Sequence, residues 1–207
     1  MKNVYQLDKE NHFLIVTDSD DHDSPNDWGN EDIFLVYDHR QFCVEREGFE
    51  PNDIYQYLKD CTDPEEFDLR NDKYDKYWIF PVYAYIHSGV SLSLSHQGDR
   101  FDVSSTGFIL VEKENYIEGQ KPTIVTEPEA LKYAEGLIKT WNQYLSGEVY
   151  AFTVIEKKYC EHCGHIEEVE HDSCCGFYGD LDEELLKEME SSFEWGLLNY
   201  EPIEEQG

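Results

Sequence analysis

Basic residues are scarce in this chain. Sixteen lysines and arginines stand against 46 aspartates and glutamates, for a formal net charge of −30. Proteins that hold nucleic acid do so with cationic side chains that displace counterions from phosphates. A chain this acidic is therefore not expected to bind nucleic acid directly, and an anionic membrane surface repels it for the same reason. Long apolar runs are also missing. The longest, such as 13–16 and 33–37, fall well short of the roughly 20 residues that cross a bilayer. The opening residues MKNVYQLDKENH are polar and lack the apolar core of a signal peptide, so the expected location is the cytoplasm. There is no phosphate-cradling glycine loop, no dinucleotide fingerprint and no HExxH helix. The partners left open are basic protein surfaces, divalent cations, and proteins that ordinarily bind nucleic acid.

Enough apolar material is present to fold. Hydrophobic residues make up 40% of the 207 and aromatics 14%, which argues against global disorder despite the charge. The length suits a single domain over 1–207, with a body over 1–157 and a Cys/His hairpin plus C-terminal helix appended over 158–207. Charge is uneven. Net charge is −13 over 1–80, −4 over 81–155 and −13 over 156–207, so the middle reads as scaffold and the two ends carry the field.

Apolar alternation predicts strands over 12–20, 32–39, 77–87, 90–95, 106–114 and 147–157. Ser88-Gly89 lies between two of these and predicts an antiparallel hairpin. Helical spacing places Ile54, Tyr57, Leu58 and Cys61 on one face of a short helix over 51–61. Thr126 and Glu129 form a capping box, and Leu131, Ala134, Ile138, Trp141 and Leu145 make the apolar stripe of the helix that follows. Gly147 supplies its stop. Asp180-x-x-Glu183 opens a last helix, with Leu185, Leu186, Met189 and Phe193 facing inward. Strands joined by short turns with helices between them predict an α+β fold: an antiparallel or mixed sheet with helices mainly on one side.

The stretch YCEHCGHIEEVEHDSCCGFYG, 159–179, holds four of the six cysteines and three of the eight histidines. In a reducing compartment such cysteines point to thiols or metal rather than disulfides. Cys160-x-x-Cys163-Gly164 is half of a zinc knuckle, since two thiolates at that spacing can share one ion. A tetrahedral site needs two more ligands, and Cys160, Cys163, His171 and Cys174 form the expected zinc set. Two other readings stand beside it: a redox pair, or core thiols packed beside Phe177 and Tyr178. Four protein ligands leave no open position, so a metal there would be structural.

Asp18, Asp20, Asp21 and Asp23, with His22, make a dense acidic stretch that lacks the glycine and terminal Glu of a calcium loop. His87, Ser88 and Asp102 supply the residue types of a hydrolytic triad. Neighbouring strand residues point to opposite faces, however, so an adjacent His and Ser are poorly placed for one.

Several stretches together carry a resemblance: HDSPNDWGNED (22–32), VYAYIHSGVSLSLS (82–95), DVSSTGFILVEKE (102–114), YLSGEVYAF (144–152) and DSCCGFYG (172–179). In order and spacing the chain resembles a group of uncharacterised proteins of bacteriophages and mobile elements. In that group a tryptophan often stands where this chain has Cys175, which implies that Cys174 is the ligand or structural thiol and Cys175 a packing residue. The resemblance implies a phage or plasmid setting and brings no activity with it. Small acidic proteins in such settings often block host defence, which joins the setting to the charge. The expected function is an inhibitor that binds a basic, nucleic-acid-binding host defence protein by copying the charge of DNA. The expected contact acids are Asp18, Asp20, Asp21, Asp23, Glu167, Glu168, Glu170, Asp182, Glu183 and Glu184. The alternatives are a zinc-stabilised interaction module without mimicry, and a metal-dependent enzyme in which Asp18, Asp20, His22, Asp23 or His87 converge.

Overall fold

Alternating apolar residues become strands in a computed structural model of the chain, which describes residues 2–19, 24–27, 31–61, 73–87, 89–96, 103–115 and 122–203. The strands are β1 (Lys2–Gln6), β2 (His12–Asp18), β3 (Ile33–His39), β4 (Phe42–Val44), β5 (Tyr77–Ile86), β6 (Val90–Ser93), β7 (Val103–Glu112), β8 (Glu114–Asn115), β9 (Thr123–Ile124), β10 (Val149–Tyr159) and β11 (Ile166–Tyr178). The helices are α1 (Pro51–Asp60), α2 (Glu127–Ser146) and α3 (Glu183–Glu190), with a 3-10 turn at Lys73–Lys76. All strand pairs are antiparallel, and the fold is α+β. Among the described residues no helix is long and apolar enough to cross a membrane.

Internal contacts divide the chain into two compact units: unit 1, Met1–Asp23 with Gly147–Gly207, and unit 2, Ser24–Ser146. The line expected between 157 and 158 runs through β10. The cysteine hairpin is not an appendage to a finished body, because its two strands are half of the unit 1 sheet.

Unit 2 is built on a five-stranded sheet in the order β4-β3-β7-β5-β6. The continuous apolar run of β3 follows from burial on both faces. Leu35 and Tyr37 join Ile109 and Val111 against α2, while Phe34 and Val36 join Phe108 and Leu110 against Ile54 of α1. Tyr37 is fully buried, and its hydroxyl donates to the Ser104 carbonyl at 2.9 Å and accepts from the Ala84 N–H at 3.2 Å. Its ring lies over Gly107, where a Cβ would come within 2.0 Å of Tyr37 Cδ2. The expected hairpin at 88–89 forms as β5 against β6, with Ile86 opposite Val90. Helix α2 begins as the capping box predicts: Glu129 Oε2 accepts from the Thr126 N–H at 2.9 Å. Its stripe is one residue out of phase at the start. Ala130, not Leu131, is buried with Ala134, Ile138 and Trp141, and Leu131 stays 39% exposed.

Unit 1 is a four-stranded sheet in the order β1-β2-β10-β11. Tyr5, Leu14, Val16, Phe152 and Phe177 pack on its inner face against Leu185, Leu186 and Met189 of α3. The helix is capped by Asp182, not Asp180, and the Asp182 carboxylate accepts from the N–H groups of Glu184 and Leu185. Beyond α3 the chain runs beside β1, where the Leu198 N–H donates to Gln6 O at 3.0 Å and the Ile203 N–H to Val4 O at 2.8 Å.

Candidate metal centre

Strand β11 decides where the cysteines go. It pairs with β10 from Val149↔Tyr178 to Tyr159↔Ile166, so Cys160 and Cys163 lie in the turn while Cys174 lies opposite Phe152. Seven residues of strand separate Phe152 from Tyr159, about 23 Å of chain. The expected zinc set was Cys160, Cys163, His171 and Cys174, with each arm of the hairpin giving two ligands. The register instead keeps Cys174 away from the turn, opposite Phe152. All four cysteines of the segment are exposed, so Cys174 and Cys175 are not core thiols either.

The one expected ligand that does find partners is His171. Among the described residues, His12, Glu156 and His171 each place a ligand atom within 4.8 Å of the others, a group that could hold a metal ion. Three adjacent strands supply them. His12 begins β2 in phase with the buried Leu14 and Val16. Glu156 of β10 is its direct ladder partner and is in phase with Phe152 and Val154. His171 is the extra residue of a β-bulge, since Val154 pairs with Asp172 and Ile155 with Glu170. Bulges re-aim side chains in this way and are common beside functional sites.

The two imidazoles are held differently. His12 is 2% exposed. Its Nδ1 lies 2.8 Å from the Glu10 carbonyl, which can only accept, so in the neutral ring Nδ1 carries the proton and Nε2 carries the lone pair. That Nε2 is buried and has no hydrogen-bond partner. A backbone carbonyl fixing one nitrogen of a histidine while the other faces outward is a common second layer of a metal site. His171 Nε2 donates to Glu156 Oε2 at 3.0 Å. This hydrogen bond is the chief reason the Glu156 carboxyl is held below its ordinary value, with Lys158, 3.5 Å from Oε2, and His12 adding to it. A cation entering the group would take the place of the proton that His171 and Glu156 now share.

Trp195 closes the group from the C-terminal segment. Its ring meets His12 at 4.7 Å and His171 at 5.4 Å between centroids, and the two imidazoles stack at 5.1 Å. Lys9 Nζ lies 4.2 Å from the centre of the Trp195 ring. The Glu156 and His171 side chains keep about a quarter to a third of their surface. Two imidazoles and a carboxylate with one side open to solvent suit a borderline divalent ion that keeps a water position.

The expected contact acids separate into three groups. Glu167, Glu168 and Glu170 are exposed on β11, and Asp182, Glu183 and Glu184 are exposed at the start of α3. Lys157 reaches Glu168 at 3.6 Å, and Lys187 pairs with Glu183. Asp18 ends β2 opposite Tyr150. Asp20, Asp21, His22 and Asp23 lie outside the described residues, as do Ser88 and Asp102 of the triad that was considered. His12 and Glu156 were not anticipated as ligands. Their signal was a polar residue standing in the buried phase of a strand, twice, at the same rung. No family model matches the chain, and no curated protein and no solved structure matches it.

Proposed function

We propose that this is a zinc-braced acidic binding protein, of phage or mobile-element type, that occupies the nucleic-acid-binding surface of a basic host defence protein. The observation that carries the reading is that one edge strand serves both roles. Strand β11 supplies His171 to the metal group and displays Glu167, Glu168, Glu170 and Asp172 to solvent. Unit 1 as a whole holds 23 acids against five bases. Zinc would join the free edge strand to β2 and β10, fixing the spacing of its carboxylates. Those carboxylates would then fill a groove shaped for phosphates, with affinity that falls as salt rises.

A second reading, an interaction module without mimicry, is favoured by the Lys157–Glu168 and Lys158–Glu156 pairs, which neutralise part of the strand within the hairpin. Competition separates the two. The chain is titrated into DNA cleavage by a panel of restriction nucleases, beside a Glu167→Lys/Glu168→Lys/Glu170→Lys variant. Mimicry gives inhibition that excess DNA relieves and that the variant loses. Inhibition that DNA does not relieve favours the module. Binding indifferent to the charge reversal ends both. Elemental analysis settles zinc: about one ion held by the trio per chain, lost in His171→Ala and kept in Cys174→Ser. Equal zinc in wild type and His171→Ala would remove the brace.

A further inference from the structure

The tip of the β10–β11 hairpin carries chemistry that the metal trio does not use. Pairing of β10 with β2 ends at the Glu156–His12 rung, while pairing with β11 continues to Tyr159↔Ile166. Past that rung the Lys157 N–H still donates to Asn11 O at 2.8 Å, so the hairpin stands free from Lys158 on, two residues or about 7 Å before the turn. The turn beyond it is closed by two backbone bonds, Cys160 N–H to His165 O at 2.8 Å and Gly164 N–H to Cys160 O at 2.9 Å. Gly164 sits at φ 70°, which a residue with a Cβ adopts reluctantly. Within this turn the Cys160 and Cys163 side chains are both exposed. The tip thus holds Cys160-x-x-Cys163-Gly164 in a tight turn with both thiols facing solvent, the backbone form of half a zinc knuckle.

It is also half a site. Zinc bound by thiolates takes four ligands in a tetrahedron. Among the described residues no third His, Cys, Asp or Glu ligand atom gathers with Cys160 and Cys163, and Cys174 is far down the strand. Beside the two thiols lies the cross-strand pair Tyr159 and Ile166, 67% and 54% exposed, an apolar rung that the described residues leave uncovered. We infer that two copies of this chain join tip to tip, with the Cys160 and Cys163 thiolates of each holding one shared zinc ion. The two-fold arrangement is self-complementary: each tip presents the pair the other lacks, and the Tyr159–Ile166 rungs face each other across the junction. Four thiols give up four protons to one Zn²⁺, and nothing is oxidised or reduced. Two chains of charge −30 repel, and the projection answers this. Two tips hold the sheets at least about 14 Å apart, beyond the roughly 8 Å over which charge is felt at physiological ionic strength. Raising salt from 10 to 150 mM should therefore strengthen the dimer, the reverse of its effect on a basic partner.

The test uses the full chain carrying His12→Phe, which removes a ligand of the trio, titrated with Co²⁺ and Zn²⁺ under reducing conditions. Absorbance and sedimentation are followed together. The expected result is a thiolate-to-cobalt absorption that saturates at half an ion per chain while the mass doubles. Both should be lost in Cys160→Ser and Cys163→Ser and kept in Cys174→Ser, and Tyr159→Ser should weaken the dimer several-fold. Three results overturn the inference: thiolate-bound metal on a monomer, a metal-dependent dimer that survives loss of both tip cysteines, and no thiolate absorption at all. The tip is exposed and makes no core contact, so circular dichroism of the serine variants should match wild type.

Discussion

Replacing His12 by phenylalanine should leave the metal-free protein as stable as before, or more so, while abolishing its response to zinc. The reasoning starts from the unpartnered Nε2. A buried polar atom without a hydrogen bond costs about 1–3 kcal/mol, and His12 is 2% exposed with Nε2 in that condition. Phenylalanine removes the atom and keeps a flat ring between His171 and Trp195, whose centroids lie 5.1 and 4.7 Å away. It forfeits the Nδ1 bond to the Glu10 carbonyl, worth about 1 kcal/mol. The balance falls between neutral and about 2 kcal/mol stabilising. Wild type at a hundredfold excess of zinc over its Kd should gain about 2.7 kcal/mol, which for a chain of this size is a rise of roughly 5–11 °C in melting temperature. Both proteins are melted with and without zinc, in a Cys160→Ser background so that tip thiols add nothing. A metal-free His12→Phe protein more than about 2 kcal/mol less stable would mean that Nε2 is satisfied in the folded chain. A zinc shift retained in that variant would mean that the trio is not the site.

Three further outcomes follow from particular contacts. The His171 hydrogen bond depresses the Glu156 carboxyl below 4.5, so the stability it contributes is complete above that pH and disappears as pH falls through the lower folded value; His171→Ala should blunt this acid loss in a pH series of urea melts, and an unchanged profile would refute it. Gly107→Ala puts a methyl 2.0 Å from Tyr37 Cδ2 and should destabilise unit 2 by about 1–3 kcal/mol in urea while leaving zinc binding alone. With 46 acids against 16 bases, the melting temperature should rise between 10 and 150 mM salt as repulsion is screened; a flat response would show that the acids do not strain the fold.

Much of the fold is legible because local signals agree with tertiary ones. The capping box at Thr126 and Glu129, the stripe ending at Leu145 and the stop at Gly147 each describe the same helix, and α2 runs Glu127–Ser146. The misplaced Leu131 shows the limit of that agreement. Both 130 and 131 are apolar and both lie at helical spacing from Ala134, so composition cannot choose between them; the packed sheet does. Strand β1, KNVYQ, carries too few apolar residues to announce itself, and it forms because β2 lies on one side of it and the C-terminal segment on the other. Strand β11, IEEVEHDSCCGFY, lies in the expected Cys/His hairpin but lacks the apolar alternation that marks a strand. It is extended because β10 offers it a complete ladder, a case where partner outweighs propensity.

The metal trio is hidden by register rather than by residue type. A strand repeats every two residues, so one unannounced extra residue reverses the facing of everything beyond it. Strand β11 has two such residues, His171 and Gly176, so that residues 172–175 are shifted against β10 while 166–170 and 177–178 share one alternation. Gly176, at φ 87°, at least carries the residue type that marks a bulge. His171 carries none. Counted from the turn, Val169 is the rung partner of Glu156 and His171 follows it on the same face, toward His12. Counted from the other end, Asp172 already occupies the place opposite Val154 on that face. The bulge lets both stand, and it brings a third ligand beside a histidine and a glutamate that were each conspicuous only for being polar where their strands are buried. Cys174, inside the shifted window, takes a place opposite Phe152 that no reading of spacing from Cys160 could have assigned it.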